Sequence, residues 1–272
     1  MKRNFQPLIT LLARMAITAA LLSGCASTAV GPDPDELQAL APTGKLRVGV
    51  YLGSPTSMIR DPKSGETKGV SLDLGVELAR RLGVPFEIIV HPRLAEVIEA
   101  LKSGKVDFTL TNATAERAKV VDFTPPLLGL ELGYLVVPGS PVSTLADVDR
   151  PGIRVGVSQG SSSQGVLTRE FKHARVVTAP TTKDAIEMLS QRKVDAFATN
   201  KAILFEMSDS LPTSRVLDGR WGLEHMAIAI PNGRDRGKAY LRRFAEQVTA
   251  EGLVARAAER AGLRGTVKIE SR

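Results

Sequence analysis

The sequence predicts an α/β protein of two lobes, each a mainly parallel sheet flanked by helices, joined by a hinge of two crossing strands. Three observations carry this expectation. From Lys45 onward, short runs of β-branched residues alternate with stretches of helical periodicity. After the turn-forming Pro138-Gly139-Ser140-Pro141 the same layout restarts. A late apolar segment, residues 226–230 (MAIAI), is then placed to return the chain to its first half.

The elements follow in order. Residues 45–51 (KLRVGVY) alternate as a strand. Apolar positions 72, 74, 76, 78, 79 and 82 suit a helix packed on a sheet, with Asp73 as a candidate cap and Gly83 as its end. Residues 86–90 (FEIIV) read as a buried strand, 94–102 as a helix ended by Gly104, and 106–111 as the next strand. This alternation implies parallel strands with helices on their faces. Residues 130–137 form a further strand. The second copy runs as strand 154–157, helix 162–171, strand 175–178, helix 182–191 and strand 195–199. Helices over about 235–251 and 252–262 close the chain. Residues 45–137 with 228–272 are expected to form one lobe and 138–227 the other.

Before the folded part, Lys2, Arg3 and Arg14 precede the apolar stretch 15–22 (MAITAALL), which is too short to span a bilayer. Leu22-Ser23-Gly24-Cys25 reads as a lipobox. Residues 1–24 are expected to be a lipoprotein signal peptide and Cys25 the acylated first residue. Acylation of the sole cysteine leaves neither thiol nor disulfide, so stability rests on the core. Lipid there holds a protein at a membrane surface without spanning it. Residues 25–44 are expected to hold the anchor and a flexible tether, acidic and proline-containing.

The three basic residues leave with the leader and bring the formal charge from +7 to +4. The remaining charges are scattered, in pairs such as Arg80-Arg81 and Arg242-Arg243, and no basic stripe is interleaved with aromatics. Nucleic acid is therefore not an expected partner. His91, His173 and His225 lack metal-ligand spacing, and neither a glycine-rich nucleotide loop nor a nucleophile elbow occurs. No metal or cofactor is expected.

Ligands of open parallel sheets bind beyond the carboxyl ends of strands. Four segments fall there. Thr111, Asn112 and Thr114 precede Arg117, whose two parallel donors match a carboxylate. Gly160 introduces Ser161, Ser162 and Ser163, where a helix start offers backbone N–H groups to an anion, or simply a serine cap. Asn200 ends a strand, with Lys201 beside it, and Ser57 lies in the loop after the first strand. Each also suits ordinary turn or surface chemistry; their arrangement around one cleft points to a ligand.

Gly44-Lys45-Leu46-Arg47-Val48-Gly49-Val50, Gly69-Val70-Ser71-Leu72-Asp73-Leu74, Leu101-Lys102-Ser103-Gly104-Lys105-Val106-Asp107, Thr114-Ala115-Glu116-Arg117-Ala118-Lys119, Asp122-Phe123-Thr124-Pro125, Val155-Gly156-Val157-Ser158-Gln159-Gly160-Ser161-Ser162 and Val194-Asp195-Ala196 together resemble the extracytoplasmic solute-binding proteins of family 3, the amino-acid receptors of ABC importers. The resemblance implies a type II periplasmic-binding-protein fold closing on a small carboxylate-bearing ligand. It implies that Arg117 grips the carboxylate, helped by Ser161 and Ser162, with Thr111 and Asn112 binding from the first lobe. It also implies a periplasmic, lipid-anchored monomer that delivers to an ABC permease in the inner membrane and is not an enzyme. Three departures stand out. Thr56, Ser57 and Met58 occupy a loop that often holds an aromatic residue, and the segment before Arg117 is one residue shorter. Asn200 stands where amino-acid receptors carry the aspartate that binds the α-ammonium. Two alternatives share the scaffold: an enzyme resembling cyclohexadienyl dehydratases, with Glu131 or Glu224 as its acid, or a sensor read by a separate signalling partner.

Overall fold

Asp33 opens the first helix with a reciprocal cap: it accepts from the Glu36 N–H at 2.7 Å, and the Glu36 carboxylate accepts from the Asp33 N–H at 3.1 Å. The computed structural model describes residues 31–61 and 64–269; the leader and Cys25 lie outside them. Helix α1 (Pro34–Leu40) buries Leu40 and packs against the helix Asp235–Ala250, from which Arg243 reaches Glu36 at 2.8 Å. Within the stretch expected as a tether, residues 34–40 are instead helical: Asp33 and Glu36 form the cap, and Leu40 faces the core.

The first half carries β1 (Leu46–Tyr51), β2 (Ile59–Arg60), β3 (Thr67–Lys68), α2 (Val70–Leu82), β4 (Phe86–His91), α3 (Leu94–Lys102), β5 (Thr109–Asn112) and β6 (Val121–Phe123). Strands β1 and β4 run parallel from Leu46↔Phe86 to Tyr51↔His91, and the parallel bridge Val48↔Phe108 joins β1 to the approach of β5. Asp73 does not cap α2. Gly69 holds the cap position, and the Asp73 carboxylate accepts from Arg260. Among the described residues β4 is paired by β1 alone, and Ile88 and Val90 on one of its faces are exposed rather than buried as expected.

The second half carries β7 (Leu128–Val136), β8 (Arg154–Ser158), α4 (Ser162–Glu170), β9 (Arg175–Ala179), α5 (Thr182–Ser190), β10 (Ala196–Asn200), α6 (Lys201–Ser210) and β11 (Arg215–Val216). Then β12 (Gly222–Pro231), α7 (Asp235–Ala250), α8 (Leu253–Arg260) and β13 (Thr266–Val267) complete the chain. Strands β9, β8 and β10 are parallel neighbours. The two long strands β7 and β12 are antiparallel, from Gly222↔Leu132 to Met226↔Leu128. Beyond that shared stretch β12 continues against β5, and β7 continues against β10.

Hydrophobic cores follow this division. One gathers Val48, Leu78, Phe108, Leu130, Ile228 and Phe244. Two others gather Tyr134, Val155, Val157 and Leu167, and Leu135, Leu189, Phe197 and Leu204. Strand β7 thus begins in the first core and ends in the others. The crossing strands make the nine-stranded sheet mixed: β5, β12, β7 and β10 pair antiparallel, β10, β8 and β9 pair parallel, and β1 with β4 forms a separate parallel pair.

A matching latch closes each half. Asp107 accepts from the Arg47 backbone N–H at 3.0 Å, from its Nε at 2.8 Å and from its Nη2 at 2.7 Å. Asp195 accepts from the same three groups of Arg154 at 2.8, 3.0 and 2.8 Å. The guanidinium also donates to the Gly104 carbonyl in one half and to the Arg192 carbonyl in the other. Both carbonyl residues take the left-handed conformation, Gly104 at φ 68° and Arg192 at φ 53°. A Cβ on Gly104 would meet open space, so Gly104→Ala isolates the conformational penalty. Urea unfolding should show a loss of about 1 kcal/mol.

Candidate functional site

One pocket lies where the two halves face each other, beyond the carboxyl ends of β1, β5, β8 and β10. Its placement follows from topology, because parallel strands turn into loops and helix starts at that end. The first half contributes Tyr51, Thr56, Arg93, Thr111, Asn112 and Arg117. The second contributes Gln159, Ser161, Thr181, Thr182 and Asn200, and β12 contributes Glu224.

Among the residues singled out from sequence, Arg117, Thr111, Asn112, Ser161 and Asn200 line this pocket. The other four do not. Ser57 is buried in its loop, where its hydroxyl accepts from the Tyr51 N–H at 2.9 Å. Thr114 accepts from the Arg117 N–H at 3.2 Å and so shapes the turn that delivers the arginine. Ser162 donates to Glu224 Oε1 at 2.8 Å, just behind the pocket wall. Ser163 faces inward, its buried hydroxyl without a hydrogen-bond partner among the described residues. The hydroxyls of Ser57, Thr114 and Ser162 thus serve the scaffold or the wall.

The Arg117 side chain leaves the short 3-10 turn Arg117–Lys119, and the residue is 8% exposed. Its Nη1 donates to Thr111 Oγ1 at 2.9 Å and to the Asn112 carbonyl at 3.1 Å. Among the described residues no carboxylate lies within ion-pair distance of it. Burial pushes its pKa down while the charges of Glu224 and Tyr51 oppose the change. Arginine stays protonated at neutral pH regardless. The site therefore holds a desolvated cation whose partners are neutral, which is costly unless an anion arrives.

Across the pocket, the Ser161 hydroxyl caps α4 by accepting from the Gln164 N–H at 3.1 Å. The Gln164 side chain in turn accepts from the Gly160 N–H at 2.7 Å, so the helix start satisfies part of its own donor set. Tyr51 completes the first-half wall. Burial raises its hydroxyl pKa; Ser54 opposes this and Glu224 adds to it.

Glu224 was legible as a carboxylate but not as a wall residue. The strand expected to begin at Met226 begins at Gly222, and its first residues invert the usual pattern. Glu224 is 7% exposed while its neighbour Leu223 is 36% exposed. Glu131, the other candidate acid, does not line the pocket. Lys201 at 2.6 Å, joined by Arg220 at 3.2 Å, holds its carboxyl below the usual range, which unsuits it to donate a proton. Gln159 lay within the segment 155–163 but was not singled out, and Tyr51, Arg93, Thr181 and Thr182 carried no sequence signal beyond their position near strand ends.

Beside the pocket, a glycine of one half packs against a side chain of the other at two points. A Cβ on Gly160 would fall 2.6 Å from the Ala95 Cβ, and one on Gly53 would fall 2.9 Å from the Thr182 Oγ1.

The family described as bacterial extracellular solute-binding proteins, family 3, matches residues 46–261. A glutamine-binding protein of Geobacillus stearothermophilus is 26% identical over 81% of this chain and 89% of its own length. An ABC transporter glutamine-binding protein of Bacillus subtilis is 25% identical over 74% of each chain. The solute receptor for L-cysteine of Neisseria gonorrhoeae superposes with a TM-score of 0.73 at 23% identity, over 83% of this chain and 92% of that one.

Proposed function

Because the chain belongs to the bacterial extracellular solute-binding proteins of family 3, we propose that it is the receptor of an ABC importer, capturing a small carboxylate-bearing solute of the amino-acid class. The observation that carries this reading is Arg117, a buried guanidinium on the pocket wall with neutral partners only. A ligand carboxylate supplies the missing anion and accepts two parallel N–H donors. Thr111 and Asn112 hold the guanidinium in place as the ligand docks. Ser161, at the opposing helix start, adds a second-half contact to the same ligand.

Closure follows from the architecture. The two halves carry separate cores and are joined by β7 and β12, which bend while each core moves as a unit. A ligand touching both walls favours the closed arrangement in proportion to its extra contacts there. The protein binds and releases its solute unchanged. Cys25 carries the lipid that keeps it, as a monomer, beside the permease.

A thermal-shift panel of the twenty L-amino acids and common organic acids tests the proposal. A subset bearing a carboxylate should raise Tm, since ligand at about 1,000 times Kd contributes ~4 kcal/mol. Mass spectrometry should recover the ligand unaltered. If no amino acid or organic acid shifts the melt, the reading is wrong.

A further inference from the structure

We infer that Glu224 is the ammonium-binding group of this pocket, making its ligand a zwitterion whose positive end rests on the crossing strand β12. This rests on the amino-acid reading above and deepens it.

Glu224 lines the pocket and is almost wholly buried. Among the described residues it has no lysine, arginine or histidine within ion-pair distance. Its partners are neutral: Ser162 Oγ donates to Oε1 at 2.8 Å, and Asn200 Nδ2 donates to Oε2 at 2.9 Å. A carboxylate has about four lone-pair sites, so two donors leave room for others. The orientation of Asn200 is fixed independently, because its Oδ1 accepts from the Ile203 N–H at 3.1 Å to cap α6. The NH2 group is thereby turned toward Glu224, and the asparagine offers the pocket no charge of its own. A desolvated carboxylate with neutral partners is as costly as the desolvated Arg117 opposite it.

One guest satisfies both. A molecule carrying carboxylate and ammonium on neighbouring atoms answers Arg117 from the first half and Glu224 on the crossing strand. Both donors to Glu224 belong to the second half, so the ammonium end engages that half through it. Organic acids without an amino group would leave Glu224 unanswered.

The test pairs the L-amino acid giving the largest thermal shift with its analogue lacking the α-amino group. For L-glutamine this is 4-carbamoylbutanoate, and for L-cysteine 3-mercaptopropanoate. Calorimetry on the wild type should show strong preference for the amino acid. Glu224→Gln should weaken the amino acid by roughly 30-fold or more and the analogue by far less, so that the preference collapses. The exchange variant Asn200→Asp/Glu224→Gln, which moves the charge to the end of β10, should recover it. Equal weakening of both ligands, or no change in either, would overturn the assignment while leaving the amino-acid reading intact. Wild type binding none of the amino acids overturns both. Should Glu224→Gln fail to fold, Glu224→Met decides on the same terms: loss of the preference upholds the assignment, and a retained preference refutes it.

Discussion

Arg117→Met is expected to abolish amino-acid capture at concentrations that saturate the wild type. The guanidinium lies on the pocket wall against the Thr111 hydroxyl, and it is desolvated before any ligand arrives. Removing one partner of a buried charge pair costs about 2–5 kcal/mol, or roughly 30- to 5,000-fold in Kd. The unliganded protein should respond the other way. Methionine removes an unpaired buried charge and keeps most of the volume, so its melting temperature should hold or rise. That opposition of signs separates a ligand-gripping arginine from a structural one. Calorimetry for affinity and a thermal melt without ligand measure the two halves of the expectation. A variant that binds as wild type, or that unfolds, contradicts it.

Asp107→Ala should produce a large loss of stability. The Asp107 side chain is 0% exposed and accepts from both Arg47 and Arg234, each at 2.7 Å. Its removal leaves two guanidinium groups without their anion and opens the join between β1 and the approach to β5. Breaking a buried pair in this way costs about 3–5 kcal/mol, on the order of 10 °C in Tm for a chain of this size. The counterpart Asp195 is 13% exposed and answers only Arg154, itself 41% exposed. Asp195→Ala should therefore cost clearly less. Urea unfolding of the two variants side by side checks both the magnitude and the order.

Much of the architecture was legible because it is written in periodicity. The strand at Leu46–Tyr51, the helix Leu94–Lys102 and the second-half alternation appear within a residue or two of expectation. Arg117, Ser161 and Asn200 were placed near one cleft by a topological rule, since loops after parallel strands share one end of a sheet. Less legible were features decided by partners far away in sequence. The helix Pro34–Leu40 looks like a tether until α7 is there to bury Leu40. Asp73 looks like a cap until Arg260, nearly two hundred residues later, takes it. Glu224 looks like a surface residue because a glutamate between Leu223 and His225 ordinarily faces solvent. Only the crossing of β12 over the pocket turns it inward.

The glycine contacts beside the pocket carry a consequence for how affinity is set. Between Gly160 and Ala95, and between Gly53 and Thr182, the two rims approach with no side chain interposed on the glycine side. A methyl at either position is expected to hold the jaws ajar without touching the guest, and also to strain its own turn, since Gly53 lies at φ 87° and Gly160 at φ 74°. Apparent affinity scales with the fraction of molecules able to shut. The tightness of capture in this protein is thus governed partly by atoms it lacks, well outside the chemistry that chooses what is caught.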